Sequence, residues 1–180
     1  MIMSIITISP RTDPRWQCLV DQTKSDVFHS VEWMNVLAET YGFQIQALVG
    51  LDDQNAARAG IAYCTIEDMM DPRIVSLPFS DFCDPLVGNR DEWNCLITRL
   101  LDEGQRISLR CLHNHVPLDD PRVTKVGRAK WHCVDLRRDE AEIWNGLHGS
   151  ARRAIRQAKR NGITVRAAQN KDDLRAFFNL

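Results

Sequence analysis

The chain has 180 residues, 44% hydrophobic and 26% charged, and a formal net charge of -1 at pH 7. This is the composition of a folded globular chain, and a near-zero net charge excludes any global attraction to nucleic acid or to an anionic membrane, so any basic site must be local. No apolar run approaches the roughly 20 residues that a spanning helix needs, and the start, Met1-Ile-Met-Ser-Ile-Ile-Thr-Ile-Ser-Pro10, lacks a cationic leader, which together point to a cytoplasmic protein without a transmembrane segment.

In chain order the pattern predicts a strand over 2–8, helices over 13–23 and 31–40, and strands over 43–50 and 58–67. Ser30 suits the N-cap of the second helix, and Trp33 reads as that helix's core anchor. Residues 52–56, Asp-Asp-Gln-Asn-Ala, have turn composition and link two strands. Pro72 opens a strand to about 79, a loop carries Asp81 to Gly88, and Asp91 to Glu103 forms a helix. Strands are predicted over 106–112 and 130–136, with Pro117-Leu-Asp-Asp-Pro121 as a loop between them. Helices follow over 139–147 and 150–161, then a strand at Ile163-Thr-Val165 and a helix from Asn170 to Leu180, with Asp172 and Asp173 in its first turn. The mixture predicts an α/β chain of the α+β type, one good core with part of a second.

The sequence carries no GxxxxGK, no GxGxxG and no GxSxG. Arg58-Ala-Gly60-Ile-Ala62 is one residue short of a pyrophosphate-binding loop of acetyl-coenzyme A enzymes, and a strand with a close-packed glycine accounts for it. The six cysteines, Cys18, Cys64, Cys83, Cys95, Cys111 and Cys133, form no CxxC pair and read as reduced, mostly small core hydrophobes. His113-x-His115 and His132-Cys133 have donor types that suit zinc, but ordinary strand positions explain them, so no metal is assigned. Asp81 and Asp84 sit in an aromatic, proline-bearing loop, either as turn formers or as carboxylates able to orient an amine.

The most informative stretch runs from Trp144 to Arg166. Ser150 is placed to cap a helix and Asn161-Gly162 to close it. Between them Leu147, Ala151, Ala154, Ile155 and Ala158 recur at three- and four-residue spacing as an apolar stripe. Arg152, Arg153, Arg156, Lys159 and Arg160 crowd five cations into nine residues with no acid among them. Such a face is either a solvated flank or an anion-binding surface.

The run Trp144-x-x-Leu147, Arg152-Arg153-x-Ile155-Arg156-x-Ala158-Lys159-x-x-Gly162-Ile163-x-Val165 resembles the signature opening the second domain of Fem-type peptidoglycan bridge-forming proteins and their BioF-like acetyltransferase relatives. Upstream, Phe28-His29-Ser30-x-x-Trp33 with Tyr41-Gly42-Phe43, and Leu77-Pro78-Phe79-Ser80-Asp81-Phe82-Cys83-Asp84-Pro85-Leu86, resemble two further landmarks of that group in the same order. The resemblance spans roughly residues 28 to 166. It implies two GNAT-like domains, mixed sheets flanked by helices, with a cleft between them: a first domain over 1–137 and the opening of a truncated second over 138–180, joined near Arg137-Arg138-Asp139. It further implies transfer of an acyl or aminoacyl group, from acetyl-coenzyme A or aminoacyl-tRNA as co-substrate, to an amine of a small-molecule or lipid-linked cell-envelope precursor. No permanently bound cofactor and no DNA partner are expected. Arg152, Arg153, Arg156, Lys159, Arg160 and Asp81 are the expected substrate-binding residues, and no residue stands out as catalytic. One departure bears on substrate: Trp33 is followed by Met-Asn-Val-Leu, where bridge-forming members can carry a phosphate-holding lysine. Two rival classes are a non-catalytic GNAT-like binding module and a nucleic-acid-binding protein using the basic helix. Against the latter, residues 149–162 contain no aromatic ring for base stacking.

Overall fold

The computed structural model describes residues 3–67 and 71–179. The chain divides into two compact units, residues 1–127 and 128–180. Arg137, Arg138 and Asp139 lie in the second, just ahead of its first helix.

The first unit runs β1 (Ser4–Ile8), α1 (Pro14–Gln22), α2 (Val31–Tyr41), β2 (Ile45–Leu51), β3 (Ala57–Ile66), β4 (Arg73–Val75), α3 (Arg90–Leu101) and β5 (Arg106–Ser108). The strands form one sheet in the order β1-β2-β3-β4-β5. The first three pairings are antiparallel, and β4 with β5 is parallel. The parallel pair requires a crossover, which α3 supplies. The result is a mixed α/β unit of the α+β type.

Local chemistry sets the element ends. Asp13 caps α1 with Pro14 at its first position, Ser30 caps α2 through the Trp33 amide, and Gly42, at φ 72°, closes α2. Asn89 accepts from the amides of Asp91 and Glu92 at the start of α3. In the 52–56 turn the Asp52 carboxylate accepts from the amides of Gln54 and Ala56 at 2.9 Å each, and Asn55 takes φ 62°. The turn composition read from the sequence is realised as the β2–β3 hairpin.

Alternation along β2 and β3 divides the core between the two faces of the sheet. Ala47, Val49, Ala62 and Cys64 pack with Trp16, Leu19, Met34 and Leu37 of α1 and α2. Leu48, Ala59, Ile61 and Tyr63 pack with Trp93, Leu96, Ile97 and Leu100 of α3. Gly60 faces α1, where a Cβ would lie 2.7 Å from Leu19 Cδ2 and 3.0 Å from Trp16 Cζ3. The close-packed strand glycine expected from the sequence is therefore present, and it lets the helix bearing Trp16 and Leu19 settle directly on the backbone.

Several predicted elements are shorter than expected. The strand opened by Pro72 ends at Val75, and that expected over 106–112 ends at Ser108, because the backbones beyond them bond to loop residues: Arg110 donates to Ser76 Oγ, and Cys83 to the Arg110 carbonyl. The start of the first predicted strand, Ile2, and the end of the last predicted helix, Leu180, lie outside the described residues.

The second unit contains α4 (Glu140–Gly146), α5 (Gly149–Arg160) and α6 (Lys171–Phe178). Among the described residues it holds no strand, so 130–136 and 163–165 are corrected to irregular backbone. Alternation alone does not make a strand: a ladder needs a neighbour, and Val134, Leu136 and Val165, 60%, 81% and 96% exposed, have no sheet to lie on. Among the described residues no helix is long and apolar enough to cross a membrane.

Candidate functional site

α5 carries the five predicted cations. The cap is His148, not Ser150: its Nδ1 accepts from the Ser150 amide at 3.4 Å and contacts Ser150 Oγ at 2.8 Å. The C-terminus closes as expected, with Gly162 at φ 76°, its amide donating to the Lys159 carbonyl and that of Ile163 to Ala158. This paired geometry is a Schellman motif.

At 100° per residue, Arg152, Arg153, Arg156, Lys159 and Arg160 occupy an arc of about 120°. Leu147, Ala151, Ile155 and Ala158 lie on the adjoining stripe and are half-buried, while Ala154 is exposed. Arg156 lies over the Trp144 ring at 5.5 Å, and Arg160 donates to Gln157 Oε1 at 2.7 Å. None of the five cations forms an ion pair with a described carboxylate. Arg153, Arg156, Gln157, Lys159 and Arg160 border an open surface along one helix rather than an enclosed cavity. The first turn contains no acid, so Arg152 and Arg153 stand near the positive end of the helix dipole without compensation. An anion on this face would relieve both the mutual repulsion and the dipole.

Asp81 and Asp84 belong to the first unit and have different fates. Asp81 is exposed. Asp84 is only 6% exposed, and its carboxylate accepts from the backbone amides of Leu112, His113 and Asn114 at 2.9–3.2 Å. Its carbonyl accepts from Nε2 of the buried His29 at 2.8 Å, and His29 Nδ1 accepts from the Asp26 amide at 3.3 Å. His29 Nδ1 also lies 3.3 Å from the Asp26 carboxylate, so the ring is held from both sides. Asp84 is thus a staple between loops, with its Oδ1 taking three backbone amides. Nearby, Trp33 Nε1 donates to Ser80 Oγ at 2.8 Å, and Arg110 Nη1 donates to the Ser80 carbonyl at 2.9 Å. Trp33 is therefore tied into the same loop, which agrees with its reading as an anchor.

Only Cys64 and Cys83 are buried, with Cys111 partly so and Cys18, Cys95 and Cys133 exposed, which corrects the reading of most cysteines as core residues. Burial pushes Cys64 up to about 11 and Cys111 up to about 12, and raises Cys83 further in the same direction. All six cysteines are free. Among the described residues no three His, Cys, Asp or Glu side chains gather in a metal-binding group, the two histidine-bearing motifs included.

A further cluster fixes the 116–123 segment onto α3. Asp120, 4% exposed, accepts from Trp93 Nε1 at 2.6 Å and from Arg122 Nη2 at 2.6 Å, while Arg122 also reaches Asn94 and Thr98. The Arg122 hydrogen bond holds the Asp120 carboxyl well below the usual carboxylate range.

One surface was not legible as a site in the sequence. Tyr41, Phe43 and Phe79 bring three rings together, with Tyr41 stacked on Phe79 at 4.3 Å and 19° and on Phe43 at 5.7 Å and 30°, and Phe43 tilted 34° from Phe79. Tyr41 is 52% and Phe79 60% exposed. Phe79 has φ 55°, in the left-handed region that costs a side-chain-bearing residue about 1–2 kcal/mol. Beside the stack, Gly42, Phe43, Gln44, Gln46, Thr65 and Glu67 line a cleft of about 250 Å³. Its signal lay in Tyr41-Gly42-Phe43 and Phe79, which stand 36 or more positions apart in sequence and meet only in the fold.

Compared with models of known protein families and with curated proteins, the chain matches none.

Proposed function

We propose that the chain is the N-terminal part of a Fem-like transferase of the GNAT superfamily, moving an acyl or aminoacyl group to an amine of a cell-envelope precursor. The observation that carries this reading is the α5 arc of five cations without acid partners among the described residues, set within the motif run that resembles the family. The mixed sheet with helices on both faces supports the same reading. In this reading the sheet is GNAT-like.

In the reaction the acceptor nitrogen attacks the acyl carbon. A C–N bond forms, the thioester of acetyl-coenzyme A or the ester of an aminoacyl-tRNA breaks, and the amine proton leaves to solvent or a base. Both donors carry phosphates. The arc on α5 holds them through charge-assisted hydrogen bonds, and its contribution is positioning rather than covalent chemistry. In this reading Asp81, an exposed carboxylate of the first unit, accepts a hydrogen bond from the neutral acceptor amine.

The test offers acetyl-coenzyme A and charged tRNA separately, with amine-bearing envelope precursors, and follows product by intact mass. A mass shift from either donor is expected. Transfer from neither overturns the enzymatic reading in favour of a binding module. Replacing Arg152 and Arg156 together by alanine should weaken donor binding at least tenfold at low salt and flatten its salt dependence. Unchanged affinity and slope would remove α5 from the site.

A further inference from the structure

We infer that Tyr41, Phe43 and Phe79, with the adjoining cleft of Gln44, Gln46, Thr65 and Glu67, form a binding site for the ring of an uncharged saccharide.

Three observations carry it. First, the exposed Phe79 ring is held where the backbone favours glycine, and burial does not repay this, since the residue is 60% exposed. What holds the ring is its stack on Tyr41, itself half exposed. The fold thus maintains a wet aromatic platform at the expense of its own backbone, which is the pattern of a residue kept for a ligand. Second, the Tyr41–Phe79 pair, stacked at 4.3 Å and 19° with both residues more than half exposed, keeps aromatic surface open to solvent, of the kind on which the C–H face of a pyranose lies. Third, the lining beside Phe43 provides two side-chain amides, a hydroxyl and one carboxylate. These groups donate to and accept from ring hydroxyls. Among the described residues the lining has no lysine or arginine, the partner that a nucleotide phosphate would need. At about 250 Å³ the cleft holds one sugar ring or part of a disaccharide.

The site stands independently of the α5 cations. Combined with the proposed transfer, on which this last step rests, it would seat the glycan part of the acceptor.

The test is a titration of the whole chain with cellobiose, with N,N'-diacetylchitobiose and with adenosine, followed by two-dimensional NMR of the aromatic and side-chain amide signals. One or both disaccharides should shift the signals of Tyr41, Phe43, Phe79, Gln44 and Gln46 at millimolar concentration, and adenosine should not. Phe79→Gly should lose at least tenfold in affinity while keeping or raising the thermal midpoint, because glycine accepts the left-handed backbone. Tyr41→Ala should lose binding similarly. No shift with either disaccharide, equal shifts with adenosine, or full binding by the Phe79→Gly variant would overturn the site. Because the readout is binding alone, failure to transfer an acyl group leaves its outcome intact.

Discussion

Asp120 shows how a single carboxylate sets a pH limit. Its folded-state pKa is depressed, first by the Arg122 hydrogen bond, so the stabilisation is fully present above its unfolded value near 4 and is lost as pH falls through the folded one. Asp120→Ala leaves the Trp93 indole N–H and the Arg122 guanidinium without their acceptor, a loss of about 2–3 kcal/mol at pH 7. Urea unfolding of both forms from pH 7 downward should show that gap narrowing below about pH 4. A gap constant across the acid range would contradict the clamp. Gly60 sets a steric limit instead: Gly60→Ala should cost about 1–3 kcal/mol through the 2.7 Å approach to Leu19. In a double-mutant cycle with Leu19→Ala the two losses should sum to more than the loss in the double variant, since the shortened side chain makes room for the new methyl.

At the scale of the element, α5 depends on its ends. Gly162→Ala should destabilise the helix by about 1 kcal/mol, read as lost helical circular dichroism on warming, because alanine resists the left-handed closure. The sequence made this end visible, since Asn-Gly after a periodic run has few other uses. It misplaced the other end by two residues, since a histidine acceptor is a rarer cap than serine. The same contrast holds elsewhere. Helices α1 to α3 and strands β2 and β3 were legible from caps and periodicity, which are local. The brevity of β4 and β5 was not, since it is set by bonds from Arg110 and Cys83 to loop residues distant in sequence. Segments 130–136 and 163–165 carried the alternation of strands but no partner, and alternation without a neighbour is only composition. Of the candidate site, the cation arc on α5 could be read directly from spacing, whereas the aromatic platform needed the fold to bring Phe79 to Tyr41.

For the whole molecule, charge is segregated beneath a near-neutral total. Residues 1–127 carry eleven Lys and Arg against eighteen Asp and Glu, and residues 128–180 carry twelve against six. The local basic site anticipated from composition thus belongs to a unit that is basic in sum, although α4 and α6 both start on acidic residues. Across the boundary at residue 127, residues 124–138 are irregular and exposed and include Lys125, Arg128, Lys130, Arg137 and Arg138. Brief trypsin treatment should cut there first and leave resistant N-terminal fragments of about 125–138 residues by mass, since backbone at exposed irregular segments is the most accessible to protease. Earlier cleavage within α1 to β3 would contradict the division.

The Asp84 staple also imposes an order on synthesis. Translation runs from the N-terminus, so β1 to β3 can pair while later residues are still unmade. Asp84 at that moment has a charge to bury and none of its amides, which arrive only with Leu112 to Asn114. Trp93 waits in the same way for Asp120. A nascent chain halted before residue 112 must therefore keep its 77–86 loop open to water, and the first unit closes as one cooperative body only after some 120 residues have emerged from the ribosome.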